Sequence, residues 1–98
     1  MLKKSYSKAG DKCRVTFKLP ADVEAETAVV CGEFNDWDAT ANPMKKLKDG
    51  SFSATLSVPT GNTYRFRYLL DGERWENDWE ADEYLPNTHG TEDSVLKV

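Results

Sequence analysis

Three tryptophans, Trp37, Trp75 and Trp79, stand in polar, turn-rich stretches of the 98-residue chain rather than in its apolar runs. An indole in such a place either caps a small core or stays open as a contact surface, since its face suits an apolar patch and its N–H suits water. The C–H face of a glucose ring packs flat on an indole, and sugar hydroxyls bond to donors and acceptors such as Arg67 or Asn87. The residue types therefore allow sugar binding, and filling gaps at the ends of a small core is the alternative.

Catalytic and metal-binding chemistry has little support in the sequence. Glycoside hydrolysis needs two carboxylates at a set spacing, one of them with a raised pKa, whereas the acidic residues of segment 73–83 are typical of a solvated surface. The run "DWEADE" alternates oxygen ligands but lacks the glycine and distal glutamate of an EF-hand. His89 has no carboxylate or cysteine at ligand spacing. We therefore expect no enzyme activity, no metal site and no cofactor.

Composition and charge limit the partners. The balance of 13 basic to 17 acidic residues gives a net charge of −4, which disfavours general attraction to nucleic acid or to an anionic membrane. Residues 1–11 carry lysines but no apolar run, so we expect a partly ordered tail rather than a signal peptide or an anchor. Residues 12–98 are expected to form a single module of a cytoplasmic protein. Cys13 and Cys31 are expected as free buried thiols, with a disulfide between neighbouring strands as the alternative.

The recurring pattern is alternation with period two, which predicts an all-β chain. It is clear in "CRVTFKL", where apolar side chains alternate with polar ones and Pro20 ends the strand. "TAVVCG" is nearly all apolar, as in a central strand covered on both sides, although the run is too short to settle its place. In "TYRFRYLL" the tyrosines and Phe66 face one way, whereas Arg65, Arg67 and Leu69 face the other.

Turn signals divide the remaining chain. "KDGS" around Asp49 and Gly50 predicts a hairpin, preceded by Met44 and Leu47 as candidate core residues. Its second arm places Phe52, Ala54, Leu56 and Val58 on one face. A long irregular segment then leads to a last strand, "SVLKV". About seven short antiparallel strands predict an immunoglobulin-like β-sandwich.

Three stretches of the sequence together resemble a known family. They are "VVCGEFNDWD", "PMKKLKDGSFSATLSVPTGNTYRFRYLLDG" and "NTHGTEDSVLKV". In order and spacing they resemble the family 48 carbohydrate-binding modules, which bind glycogen and starch. These modules occur at the N-terminus of isoamylases and branching enzymes and in the β-subunit of AMP-activated protein kinase. The resemblance implies the immunoglobulin-like early-set fold of the isoamylase N-terminal domain.

The resemblance also implies site residues. Trp37 occupies the position of a tryptophan that stacks on a glucose ring of an α-1,4-linked glucan, and Trp75 matches a second stacking tryptophan with one extra residue after the D-G turn. Arg67 matches a basic residue that bonds sugar hydroxyls, and its outward position in the alternation agrees with that role.

The end of the chain departs from the family pattern. His89 and Asp93 replace a leucine that clasps the glucan and an asparagine that bonds it, whereas Thr91 matches the family's threonine. Asn87 is either an extra hydroxyl contact or a turn residue beside a proline. Trp79 has no stacking counterpart, so packing is favoured over contact.

Two functions follow as hypotheses. The first is noncatalytic binding of α-1,4-glucan, either a glycogen- or starch-like polymer or a malto-oligosaccharide, with a glycogen- or starch-metabolising enzyme as a further partner. The second is a protein interaction or scaffold domain with a vestigial sugar site.

Overall fold

Two antiparallel β-sheets make up residues 2–98, the part of the chain that our computed structural model describes. The strands are β1 Leu2–Tyr6, β2 Lys12–Leu19, β3 Ala28–Gly32, β4 Lys45–Lys46, β5 Phe52–Pro59, β6 Thr63–Leu70, β7 Arg74–Glu76, β8 Glu83–Pro86 and β9 Glu92–Lys97. One sheet has the order β1-β2-β5-β4, and the other has β3-β6-β9-β8 with β7 also paired to β6. The prediction of an all-β, immunoglobulin-like sandwich is confirmed.

The alternating pattern produces the core. Inward-facing residues of β2 and β5 lie opposite one another, as in the pairs Val15↔Leu56 and Phe17↔Ala54. The Phe17 ring meets the Phe66 ring of the other sheet edge-on, with ring centroids 5.2 Å apart. Both rings are fully buried, so strands with one apolar face close the sandwich by burying those faces together.

The N-terminal segment differs from the expected tail. Residues Leu2–Tyr6 form β1, which pairs along its whole length with β2, from Leu2↔Phe17 to Tyr6↔Cys13. Met1 lies outside the described residues. The segment has a single large aliphatic residue, so its pattern carries little strand signal, yet β2 offers it an unpaired edge of backbone N–H and C=O groups.

The segment expected to be irregular contains two strands. β7 pairs with β6 and β8 pairs with β9. The number of strands is therefore higher than the predicted seven. Strands this short, rich in charged residues, form because a neighbouring strand supplies hydrogen bonds, and their own sequence does not reveal that neighbour.

The predicted hairpin is confirmed, with one core residue misassigned. The Leu47 N–H donates to the Ser51 carbonyl at 2.7 Å, and the Asp49 side chain accepts from the Ser51 N–H at 2.9 Å. Met44 is buried, but Leu47 is 40% exposed. Leu47 was therefore wrongly assigned to the core, because it belongs to the turn rather than to the inward face of the two-residue strand.

Strand β3 lies at a sheet edge rather than at its centre. The chain after it covers that edge, since the Val30 N–H donates to the Asn42 carbonyl at 3.2 Å and the Met44 N–H donates to the Ala28 carbonyl at 2.8 Å. This cover explains why an edge strand is apolar on both faces.

Cys13 and Cys31 are both free and buried, as predicted. They lie on different sheets. Across residues 2–98, no helix is long and apolar enough to span a membrane.

Candidate functional site

The five sequence-predicted site residues all border one open cleft of about 970 Å³. The cleft lies on the outer face of the five-stranded sheet, where β6 alternates outward arginines with the buried Phe66 and Tyr68. Its lining includes Trp37, Arg65, Arg67, Trp75, Asn87, His89, Thr91 and Asp93. These residues are brought together by strands β6, β7 and β9, by the loop after β3 and by the β8–β9 turn.

A tight loop after β3 presents Trp37. Its N–H donates to the Gly32 carbonyl at 2.8 Å. The Asn35 side chain accepts from the Gly32 N–H at 3.0 Å and donates to the Asn42 side chain at 2.7 Å. These bonds fix the backbone of the loop that presents the indole, which is 36% exposed.

Backbone strain is stored at this tryptophan. Asp36 and Trp37 have φ angles of 55° and 59°, in the left-handed region that costs a non-glycine residue about 1–2 kcal/mol. Two such residues in succession persist because the surrounding hydrogen bonds over-determine the loop. Strain of this kind clusters at binding sites, which favours a functional role for the exposed ring.

Gly32 couples the Trp37 loop to β6. A Cβ at this position would stand 2.6 Å from the Arg65 carbonyl oxygen and 2.8 Å from the Phe66 Cβ. The backbone can approach β6 this closely only without a side chain. The glycine thereby sets the distance from the tryptophan loop to the strand that carries the two arginines.

Arg67 and Trp75 form a second unit. Trp75 lies directly opposite Leu69 across the β6–β7 hairpin, which places the indole on the same outward face as Arg67. The Arg67 guanidinium carbon is 5.9 Å from the Trp75 ring centroid, a cation–π arrangement. The buried Arg67 Nε has no hydrogen-bond partner within residues 2–98, so this donor remains to be satisfied.

Asp71 secures the turn between these two residues. Its carboxylate accepts from the Glu26 N–H at 2.8 Å and from the Thr27 N–H at 3.0 Å. The N–H groups of Thr27 and Glu26 lower the pKa of Asp71 from its ordinary value, because they stabilise the charged form. The hairpin that carries Arg67 and Trp75 is thus tied to the chain before β3.

Asn87 organises the β8–β9 turn. Its amide nitrogen donates to the Thr91 hydroxyl at 2.9 Å and to the Asp93 carboxylate at 3.0 Å, and its oxygen accepts from the His89 N–H at 2.9 Å. Both amide hydrogens of Asn87 are therefore donated within the turn, which agrees with the predicted role of Asn87 as a turn residue. A direct sugar contact by Asn87 remains a prediction.

Sequence reasoning missed Arg65. Its Nη1 donates to the Pro86 carbonyl at 3.0 Å and lies 3.3 Å from the Asp93 carboxylate, which is 9% exposed. The aspartate that departs from the family pattern is therefore neutralised by a cation, as a buried carboxylate requires. The sequence did contain a signal for Arg65, because the alternation of β6 places Arg65 on the same outward face as Arg67.

Trp79 lies apart from the cleft. It does not line the cleft, and it is 51% exposed, more than either cleft tryptophan. The preference for packing was wrong, because the neighbouring Asp78 rather than Trp79 fills the buried position in this loop.

A family comparison agrees with this geometry. Residues 5–85 match carbohydrate-binding module 48, the isoamylase N-terminal domain. The match includes Trp37, Arg67 and Trp75 and ends before Asn87 and Thr91. No curated protein matches the chain. Since the match covers most of its length, the chain belongs to the carbohydrate-binding module 48 family, a family of noncatalytic glycan-binding domains.

Proposed function

We propose that the protein binds α-1,4-glucan, as a glycogen- or starch-like polymer or as a malto-oligosaccharide, without chemical conversion. The observation that carries the proposal is the convergence of Trp37, Arg67 and Trp75 on one open cleft. Trp37, in the loop after β3, and Trp75, on β7, offer apolar ring faces, and Arg67 offers donors in a fixed fork.

The chemistry of the cleft suits a neutral, hydroxyl-rich ligand. Trp37 and Trp75 are 36% and 44% exposed, which leaves ring surface for the C–H faces of glucose units. Arg67 lines the cleft, and its terminal Nη groups are donors that a sugar oxygen can accept from. The Arg65–Asp93 pair already compensates its own charge, so the cleft does not demand a strongly charged ligand.

Affinity is expected to be weak. By analogy with bases stacked on aromatic side chains, each ring contributes about 1–3 kcal/mol. The stacking free energy of two rings, reduced by the cost of ordering the sugar, gives dissociation constants from about micromolar to millimolar. A module of this strength is effective when a polymer offers many sites at once.

Location and partner form part of the same proposal. Two free buried thiols suit a reducing compartment such as the cytoplasm. The family's association with isoamylase makes a glycogen- or starch-metabolising enzyme the natural protein partner.

Affinity electrophoresis tests the proposal. In native gels cast with glycogen, we expect retardation of the wild type that is absent in dextran, with mobility in a plain gel correcting for charge. Arg67→Gln should weaken binding about fivefold, the value of one hydrogen bond of about 1 kcal/mol. Arg14→Gln, on the opposite sheet, is the matched control and should behave as wild type. Equal wild-type mobility in the plain, glycogen and dextran gels would refute the proposal.

A further inference from the structure

The two sheets differ sharply in charge. Strands β1, β2, β4 and β5, which make up the four-stranded sheet, contain no acidic residue. The strands of the other sheet contain four, namely Glu76, Glu83, Glu92 and Asp93. The chain as a whole has a net charge of −4, so the strands of the four-stranded sheet carry charge of the opposite sign.

Five cations lie on the outer side of the four-stranded sheet. Their positions alternate with the inward core residues, and all five are exposed: Lys3, Lys12, Arg14, Lys18 and Lys45. None has an ion pair within residues 2–98, whereas Lys4 and Lys46, at inward positions of the same strands, are paired with Asp82 and Glu26. We call this outer side the cationic face.

Hydroxyl groups fill the space between the cations. The Thr16 and Thr55 hydroxyl oxygens lie 3.1 Å apart across β2 and β5, and serines occupy the outward positions beside Arg14 on both neighbouring strands. A shallow cavity of about 260 Å³ opens between Arg14, Lys12 and Ser57. The cationic face thus offers charged and neutral donors together, which is the donor set that carboxylates accept from.

Like charges on one sheet face repel. Lys18 and Lys45 lie in a single cross-strand row with Ser53 between them, so no acidic side chain in that row compensates either charge. An anionic partner would compensate these charges and gain charge-assisted hydrogen bonds. We propose that the cationic face docks an acidic surface of a partner protein.

The composition of the cationic face favours a protein over the other polyanions. The outward positions of β1, β2 and β5 include no aromatic ring, and Tyr6, at the end of β1 and 54% exposed, adds a single ring at the small cavity. Single-stranded nucleic acid is instead held by stacking of successive bases on several rings. The outward positions include no large aliphatic side chain either, although interfacial membrane binding relies on such residues. The four strands together are roughly 14 Å wide, and the two eight-residue strands β2 and β5 are roughly 25 Å long, an area that suits a weak, transient protein contact.

The cationic face and the cleft lie on opposite sides of the sandwich. The face belongs to the outer side of β2 and β5 and the cleft to the outer side of β6. Occupancy of one therefore leaves the other accessible, so the two activities can be measured independently.

The test uses fluorescent poly-L-glutamate of about 20 residues as the acidic probe, with binding followed by anisotropy at about 20 mM and about 500 mM salt. Wild type should bind at low salt and release the probe at high salt. Arg14→Gln combined with Lys18→Gln should weaken binding about tenfold, since each exposed pair is worth about 0.7 kcal/mol. Lys48→Gln combined with Lys97→Gln removes the same charge from positions outside the five of the cationic face, one in the β4–β5 turn and one on the opposite sheet, and should change affinity less than about twofold.

Four results would overturn the proposal. The first is that poly-L-glutamate does not bind at low salt, and the second is that both double variants weaken its binding equally. The third is tighter binding to single-stranded DNA or to anionic phosphatidylserine vesicles than to poly-L-glutamate. The fourth is self-association of the protein at low salt that the Arg14/Lys18 variant abolishes. Unchanged glycogen retardation and an unchanged melting temperature establish that each variant is folded.

Discussion

Replacing Trp37 with alanine is expected to weaken the binding of maltoheptaose about 30-fold. The indole borders the cleft and is 36% exposed, and loss of one stacked ring is worth about 2 kcal/mol. Isothermal titration calorimetry measures the affinity directly. The fold should survive, because Trp37 belongs to a loop and is absent from the core cluster.

Trp79→Ala is the matched control for this experiment. It removes an indole that is 51% exposed but lies outside the cleft, so the affinity for maltoheptaose should stay within about twofold of wild type. If Trp79→Ala weakened binding as much as Trp37→Ala, the sugar would contact a surface other than the cleft.

Replacing Asp78 with alanine is expected to reduce the free energy of unfolding by about 3 kcal/mol. Asp78 is 1% exposed, its carboxylate accepts from the Tyr68 hydroxyl at 2.6 Å, and it also accepts from the Glu80 N–H at 2.8 Å. The substitution leaves the buried Tyr68 hydroxyl and a backbone N–H without this acceptor, and a buried donor left unpaired costs about 1–3 kcal/mol.

Urea unfolding followed by circular dichroism measures this loss, and the melting temperature should fall by about 15 °C. Burial raises the pKa of Tyr68, and the neighbouring Tyr84 adds to the effect, so the hydroxyl stays a donor throughout the accessible pH range. Tyr68→Phe in the Asp78→Ala background should cost little more, because the orphaned hydroxyl is then gone. A loss below about 1 kcal/mol for Asp78→Ala would show that the contact does not stabilise the fold.

Alternation in the sequence predicts the long strands and the direction of their side chains. Phe17, Phe52 and Phe66 lie in the core, and Arg67 lies outside it, because period two separates the faces of a strand whatever its neighbours are. The same rule brings Arg67 into the cleft. Fold class and the outward residues are therefore readable from local pattern.

Pairings that depend on distant residues are not readable in this way. β1 exists because β2 has a free edge, and Asp93 is tolerated because Arg65 lies beside it, 28 positions earlier in the chain. The bonds from Asn87 to Thr91 and Asp93, which hold the β8–β9 turn, are likewise not readable from the neighbouring sequence. Each of these roles is set by the register between strands, which alternation alone does not specify.

Chemical-shift mapping of the ¹⁵N-labelled protein with maltoheptaose tests glucan binding in the cleft most directly. We expect the largest shifts at the indole N–H groups of Trp37 and Trp75, which border the cleft, with the Trp79 indole unchanged. Shifts centred on Trp79 or on β2 and β5, or no shifts at sugar concentrations of about 10 mM, well above the expected dissociation constant, would contradict it.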